Sequence, residues 1–274
     1  MWDADKIVYR NDDSFVRAYQ GSELVWEKSI PNNVIYYTSS DGQIITPDVG
    51  TGEENKGFGA NIVSNTYSGG RGVIVFDGPV TIIGTSAFGE YLPGHTNNLV
   101  SITIPNSITR IEKLAFSECL KLKSINIPYG ITYIGDEAFY SCESLTSIII
   151  PDSVTYIGRG CFQYCYSLAS YVLSSSITII KESLFDSCMV LRSAVIPSGI
   201  TKIEAAAYDR CNQLSEVIVN ATAPPVLVKD QSTGIYNQFN DNAPGRKIKV
   251  PAESLQAYKT APGWSDYADD IVAQ

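Results

Sequence analysis

Leucines recur at Leu99, Leu122, Leu145, Leu168, Leu191 and Leu214, 23 residues apart each time. Other columns keep the same step: Ile111, Ile134, Ile157, Ile180 and Ile203; Phe116, Phe139, Phe162, Phe185 and Tyr208; Cys119, Cys142, Cys165, Cys188 and Cys211. Pro105, Pro128, Pro151 and Pro197 form a further column, with Ser174 in its fourth place. A period of this length restricts the chain to a stack, because one unit cannot bury its own apolar residues and needs copies above and below. Ile74, Phe76, Val80, Ile83 and Phe88 fit the same frame, but five extra residues intervene before Leu99. Those extras fall within residues 89–98, which hold Pro93, Gly94 and His95 and read as a loop protruding from a first, atypical coil.

The unit reads L-x-x-I-x-I-P-x-x-I-T-x-I-x-x-x-A-F-x-x-C-x-x. Ile102 and Ile104 alternate with Ser101 and Thr103, the period of a strand with one buried face. Pro105 has no N–H to donate and ends it. A second extended piece covers residues 108–111. Residues 112–119 carry Ala115, Phe116 and Cys119 at spacings of three and four, which predicts about one helical or 3₁₀ turn that folds the chain back. Stacked strands lie about 4.8 Å apart, so about six coils make a rod of roughly 30 Å. The expected fold is a mostly β solenoid with short helical or 3₁₀ turns.

The column set resembles the leucine-rich repeats of the BspA type, over residues 72–219. Val250-Pro251-Ala252-Glu253-Ser254-Leu255-Gln256-Ala257-Tyr258-Lys259 with Gly263-Trp264-Ser265 resembles the segment that often closes such arrays. Ile35-Tyr36-Tyr37-Thr38 with Asp41-Gly42, and Phe58-Gly59-Ala60-Asn61-Ile62-Val63, resemble segments that often precede them. The resemblance implies a right-handed leucine-rich repeat solenoid in a surface or secreted protein of a host-associated bacterium, used for adhesion and binding without catalysis. Related modules in phage or prophage proteins keep a second reading open: a structural or receptor-binding part of a virion.

The ends lack the repeat. Residues 1–46 read as a small β module or cap, with strands around Ile7-Val8-Tyr9, residues 15–19 and Leu24-Val25-Trp26. Residues 34–38 and 43–45 flank Ser39-Ser40-Asp41-Gly42, a hairpin signal. Residues 47–71, rich in Gly, Asn and Thr, are expected to be a loop or linker. The solenoid then covers residues 72–222. Ala223-Pro224-Pro225 is expected to stop the stack, leaving residues 223–274 as a C-terminal cap with a short helix at 254–260.

The chemistry-bearing residues are few. The 274 residues include one histidine and carry 20 basic against 29 acidic side chains, a net charge of −9. An acidic chain gains nothing from a phosphate backbone, so nucleic acid is not an expected partner. No run of about 18 apolar residues predicts membrane insertion. No basic and apolar secretory leader is visible at Met1-Trp2-Asp3, so either the chain is not exported by that route or a leader has been removed. His95 is the one candidate general base and lies apart from any nucleophile motif. Gly84-Thr85-Ser86-Ala87-Phe88 misses G-x-S-x-G at its last residue, and no dinucleotide or phosphate loop is present. No enzyme, cofactor or metal site is expected. Cysteines in one column, with parallel side chains, are expected to be reduced and buried, with Cys161 in the alanine column. Asp266, Asp269 and Asp270 read as a solvated acidic tail.

Binding is the remaining class. The column Thr103, Asn126, Ile149, Val172, Val195, Ile218 should face solvent beside a serine ladder, Ser101, Ser124, Ser147, Ser170, Ser193, Glu216. Tyr133 and Tyr156 lie in a third column, and Tyr164 and Tyr166 at the turns. Strand propensity alone accounts for β-branched residues here. A contact face for an unidentified host protein or glycan, or for a second copy, is the functional reading. Its candidate residues are Ile149, Val172, Val195, Ile218, Tyr133, Tyr156, Tyr164 and Tyr166.

Overall fold

The structure is a computed structural model that describes residues 6–11, 14–20, 23–27, 31–49, 57–89 and 98–274. His95 and its loop lie outside the described residues. Each coil gives two short strands that pair in parallel with a copy in a neighbouring coil, with breaks in the ladder between Ser124–Ile125 and Ser147–Ile149, Ser170–Val172 and Ser193–Ile196, and Tyr156–Ile157 and Ile179–Ile180. One series holds Leu99–Thr103, Ser124–Ile125, Ser147–Ile149, Ser170–Val172, Ser193–Ile196 and Glu216–Val219. The other holds Ile82–Ile83, Arg110–Ile111, Tyr133–Ile134, Tyr156–Ile157, Ile179–Ile180 and Lys202–Ile203. The registers match equivalent residues, as a column of identical side chains requires. The leucine, isoleucine, phenylalanine and cysteine columns are all buried between the strands.

The third side of each coil is a return turn whose backbone bonds in two directions. Ala115, Ser117 and Cys119 N–H groups donate three residues back, to Glu112, Leu114 and Phe116 carbonyls, the 3₁₀ pattern. The residues between them donate along the solenoid axis instead: Leu114 to Asp136, Phe116 to Ala138 and Glu118 to Tyr140. This alternation needs left-handed backbone at Leu114 and Glu118, φ 60° and 59°, and it recurs at Glu137 and Ser141, Gly160 and Tyr164, Ser183 and Ser187. Only Gly160 escapes the steric penalty of that conformation. The turn is thus a hydrogen-bonded ladder in its own right, where a helix would leave the coils unlinked.

Cysteine fits this ladder for a specific reason. Each thiol donates to the carbonyl of the phenylalanine one coil earlier: Cys142 to Phe116 at 3.2 Å, Cys165 to Phe139 at 3.3 Å and Cys188 to Phe162 at 3.4 Å. A small apolar side chain with one weak donor fills the space and satisfies the second lone pair of that carbonyl. All six cysteines are buried thiols. Burial pushes the Cys165 thiol up to about 12, which suppresses the reactive thiolate.

The aromatic column is nearly continuous. Phe88, Phe116, Phe139, Phe162, Phe185, Tyr208 and Phe239 stack with centroids 5.2–5.7 Å apart. Rings turned out of the stack close both ends: Phe58 edge-on to Phe88 at 70°, and Tyr267 edge-on to Phe239 at 81°. Tyr208 stands where earlier coils hold phenylalanine, and its hydroxyl meets that of Tyr171 at 2.9 Å. Tyr171 replaces an inward isoleucine and stacks on Phe185 at 4.3 Å, and Ala194 follows it in the same column of the next coil. The three departures from the repeat compensate one another in volume and hydrogen bonding.

Both ends differ from their sequence reading, and the stack reaches about eight turns where the repeat columns mark six. Residues 43–45 form no strand. Val34–Ser39 instead runs antiparallel between Leu99–Thr103 and Arg71–Phe76, covering the first parallel edge. Ile74 and Phe76 therefore sit outside the repeat frame, which begins near Val80. Ile62–Ser68, inside the expected linker, hairpins with Arg71–Phe76 through Gly69 and Gly70, φ 56° and 81°. That Gly-Gly pair suits a tight hairpin turn. At Gly72 a Cβ would collide with the Tyr37 ring at 2.1–2.3 Å, so the strand approach there requires glycine. Nearer the N-terminus, Lys6–Asn11, Ser14–Gln20 and Glu23–Glu27 form the expected three short antiparallel strands.

Pro224-Pro225 does not stop the stack. Val226–Leu227 pairs in parallel with Lys202–Ile203, and Lys247–Val250 with Glu216–Val219. Residues 228–246 replace the usual return turn, and Phe239 takes the aromatic place. Leu255–Thr260 is the expected helix. Trp264 is fully buried and donates to the Pro225 carbonyl at 2.7 Å. Ile271–Ala273 adds a last parallel strand. Asp270 is not part of a solvated tail: it pairs with the buried Arg246 at 2.6 Å.

Three outcomes follow from this packing. Phe139→Ala should lose about 3–5 kcal/mol of stability by denaturant titration, since the ring has neighbours on both faces; a loss under about 1 kcal/mol would mean that the column does not carry the core. A thiol reagent should modify all six cysteines after denaturation and few before it, and disulfides in non-reducing peptide mass mapping would contradict this. The third concerns Asp209, whose carboxyl is pushed up to about 6 by burial and by the nearby Asp186 charge, with Arg210 opposing. A raised acid favours folding while protonated, so its contribution is present near pH 4 and fades as pH rises through about 6. Asp209→Asn should therefore melt higher than the parent at pH 7 and equally at pH 4. Equal melting at both values would show that the side chain is not held as described.

Candidate binding surface

The strands of the first series place alternate residues outside, and register decides which of them align. Tyr36 faces Thr103, Ile149 faces Val172, Val195 faces Ile218 and Ile218 faces Lys249. The 23-residue period joins these pairs into one outward row, Tyr36, Thr103, Asn126, Ile149, Val172, Val195, Ile218 and Lys249. Its middle is apolar and in water: Ile149, Val172 and Val195 are 60%, 55% and 44% exposed, while Ile218 is half-buried. Nothing among the described residues folds over the three exposed members. The adjacent row begins with Thr38 and Ser101, whose hydroxyls meet at 2.7 Å. It continues through the serines to Glu216 and Lys247. Glu216 is ion-paired with Lys249, which closes the apolar row at that end. Their inward neighbours Ile148, Ala194 and Val217 are buried, so the outward side chains can change without opening the core.

The tyrosines do not join this face. Tyr133 and Tyr156 lie on the second strand series, their rings parallel at 4.9 Å. The Arg110 guanidinium covers Tyr133 at 3.8 Å, and the Lys181 ammonium approaches Tyr156 at 5.8 Å. Carboxylates hold these cations in turn: Glu112 takes Arg110 at 2.7 Å, and Glu204 is shared by Lys202 at 2.9 Å and Lys181 at 3.7 Å. Desolvation, followed by the neighbouring Glu112 charge, raises the Tyr133 hydroxyl above its ordinary range. The column is internally satisfied, and a partner would meet ring edges and hydroxyls. Tyr164 and Tyr166 sit on the return turns, with Tyr164 edge-on to Tyr140 at 5.3 Å and 6.0 Å from Tyr166. The eight candidate residues therefore occupy three separate sides of the coil.

Sequence reasoning passed over the cations. Lys123 and Arg192 precede the serines of their coils, Lys247 ends the hydroxyl row, and all three are exposed. The signal was present in the columns, where basic residues interrupt a run of Val100, Thr146, Ala169 and Ser215. Among the described residues no group of three His, Cys, Asp or Glu is placed to hold a metal ion, and no helix is long and apolar enough to cross a membrane.

Residues 81–215 match the family model of the BspA type leucine rich repeat region, in six copies. No curated protein matches the chain. Among solved structures, a leucine rich repeat protein of T. pallidum is 30% identical with a TM-score of 0.51, over 59% of this chain and 73% of that one. A leucine-rich repeat protein from Bacteroides ovatus is 22% identical with a TM-score of 0.46, over 70% of this chain and 63% of that one. A leucine rich cell surface protein from Faecalibacterium prausnitzii is 24% identical with a TM-score of 0.31, over 59% and 60% of the two chains. With its recurring columns, its two parallel strand series and this match to the treponemal protein, the chain belongs to the BspA type leucine-rich repeat family.

Proposed function

We propose that the protein is a non-catalytic recognition or adhesion module, displayed at a cell surface or secreted, and that it contacts a protein or glycan partner through the first strand series. Leucine-rich repeat proteins generally act in protein interaction or adhesion. The observation that carries the reading is the row Ile149, Val172 and Val195, three β-branched residues left in water beside a ladder of hydroxyls. Folding does not require them to be apolar, because the buried columns alone form the core. A partner that covers them removes apolar area from water at about 25 cal/mol per Å², while the hydroxyls supply orientation. Ile218 extends the row. The tyrosine edges at Tyr133, Tyr156, Tyr164 and Tyr166 are secondary contacts on other sides.

The double variant Val172→Asp with Val195→Asp tests this reading. Its circular dichroism should match the parent, and its stability should stay within about 1 kcal/mol, as for other surface changes. On an array of glycans and host extracellular proteins, the parent's signals should fall at least tenfold, because each new carboxylate would be buried without a partner. Unchanged signals from a folded variant would remove the face from recognition.

A further inference from the structure

Two groups of exposed apolar residues on the solenoid, one on the sheet face and one on the return-turn side, lie beside charges of opposite net sign. Ile149, Val172 and Val195 share the sheet face with Lys123, Arg192 and Lys247, none of which makes an ion pair among the described residues. On the return-turn side, Leu120 and Met189 are 41% and 42% exposed and lie in one column with the half-buried Tyr166. Glu143 lies within that column and Glu118 two residues before Leu120, both without an ion pair among the described residues, while the neighbouring Lys121 is held by Ser40 and Asn98. The apolar members of both stripes repeat with the same coil rise and can meet in register, while the charges, unevenly spaced, complement one another only as net fields of opposite sign.

From this complementarity we propose that the sheet face of one molecule takes the return-turn side of a second copy. The inference rests on the sheet face being a contact surface and names its occupant. The contact is heterologous, using two different patches, so each added copy presents a fresh sheet face and the association is open-ended. The stripe is roughly 30 Å by 10 Å, from about 4.8 Å per coil and about 3.3 Å per strand residue. That is a few hundred Å² per partner, below the roughly 800 Å² of a stable pair. The pairwise contact is therefore weak, and copies held close together on a surface gain from it most.

Analytical ultracentrifugation of the whole chain tests this. The average mass of the parent should rise with concentration into the high micromolar range and fall back in about 0.5 M salt, as screened surface charges require. Val172→Asp with Val195→Asp spoils the sheet face, and Glu118→Lys with Glu143→Lys spoils the turn side. Each double variant should stay monomeric alone. Mixed in equal amounts they should form a dimer that grows no further, since one intact patch remains on each. A misfolded variant could not restore association in this way. Three results would overturn the proposal: a parent that is monomeric throughout, turn-side variants that associate like the parent, or a mixture that stays monomeric. If the parent is monomeric and Val172→Asp with Val195→Asp still abolishes array binding, self-association fails while the recognition reading stands. If that variant leaves both unchanged, both fail.

Discussion

Every coil depends on its neighbours along the axis. Leu114, Phe116 and Glu118 give their N–H groups to the next coil, the Cys142 thiol reaches back to the previous one, and each phenylalanine ring lies about 5 Å from the next. An isolated unit would leave these groups wet and its isoleucines half covered. Stability is therefore a sum of interface terms between adjacent coils, with little held within any one. The same coupling makes the ends the difficult places, because the first and last coils each lack a neighbour. The protein answers with an antiparallel strand, Val34–Ser39, at one end and with Trp264, Tyr258 and the strand Ile271–Ala273 at the other. Rings set edge-on to the aromatic column finish the stack on both sides.

Axial coupling also shapes the surface. Inward positions are held to a few side chains, whereas outward positions are free to vary coil by coil and stay aligned because register is fixed beneath them. A row of eight such positions becomes a continuous strip with a polar start, an apolar middle and a charged end. The tyrosine column on the second strand series shows another use of the same freedom: Arg110, Tyr133, Tyr156 and Lys181 satisfy one another. That column contributes to the rod more than to a partner, and the sheet face carries the unspent apolar surface.

The repeated part was legible because each column is sampled several times. Period-two alternation at Ile102 and Ile104 located the strands, and the cysteine column's burial followed from its place beside phenylalanine. The return turn at residues 112–119 was legible as a 3₁₀ fold-back, but its hydrogen bonding along the axis was not. Left-handed backbone at Leu114 or Ser187 has no compositional mark when serine, leucine and glutamate all adopt it, and only Gly160 hints at it. The ends were less legible still. Pro224-Pro225 looks like a terminator, yet proline suits a strand start where no ladder donor is needed, and Val226–Leu227 rejoins the stack. Gly69-Gly70 marked a hairpin that the polar composition of residues 47–71 concealed. The outward row was identified from alternation alone, and Lys123 and Arg192 stood in the columns beside it, but Lys247 and Lys249 joined the face only once register placed them alongside.

Coils 23 residues long that make equivalent contacts above and below have a consequence for inheritance. A gene segment encoding one unit can be duplicated or lost by unequal recombination, and the resulting chain still closes every ladder. The seam falls between two identical interfaces, and the caps are displaced along the axis without change. Tyr171, Ala194 and Tyr208 are the exception. Their sizes are matched across successive coils, so a crossover between them would separate an oversized side chain from the alanine that makes room for it. Variation in array length is thus expected to accumulate in the uniform coils around Phe116 to Phe162, and the region next to the C-terminal cap to be inherited as a block.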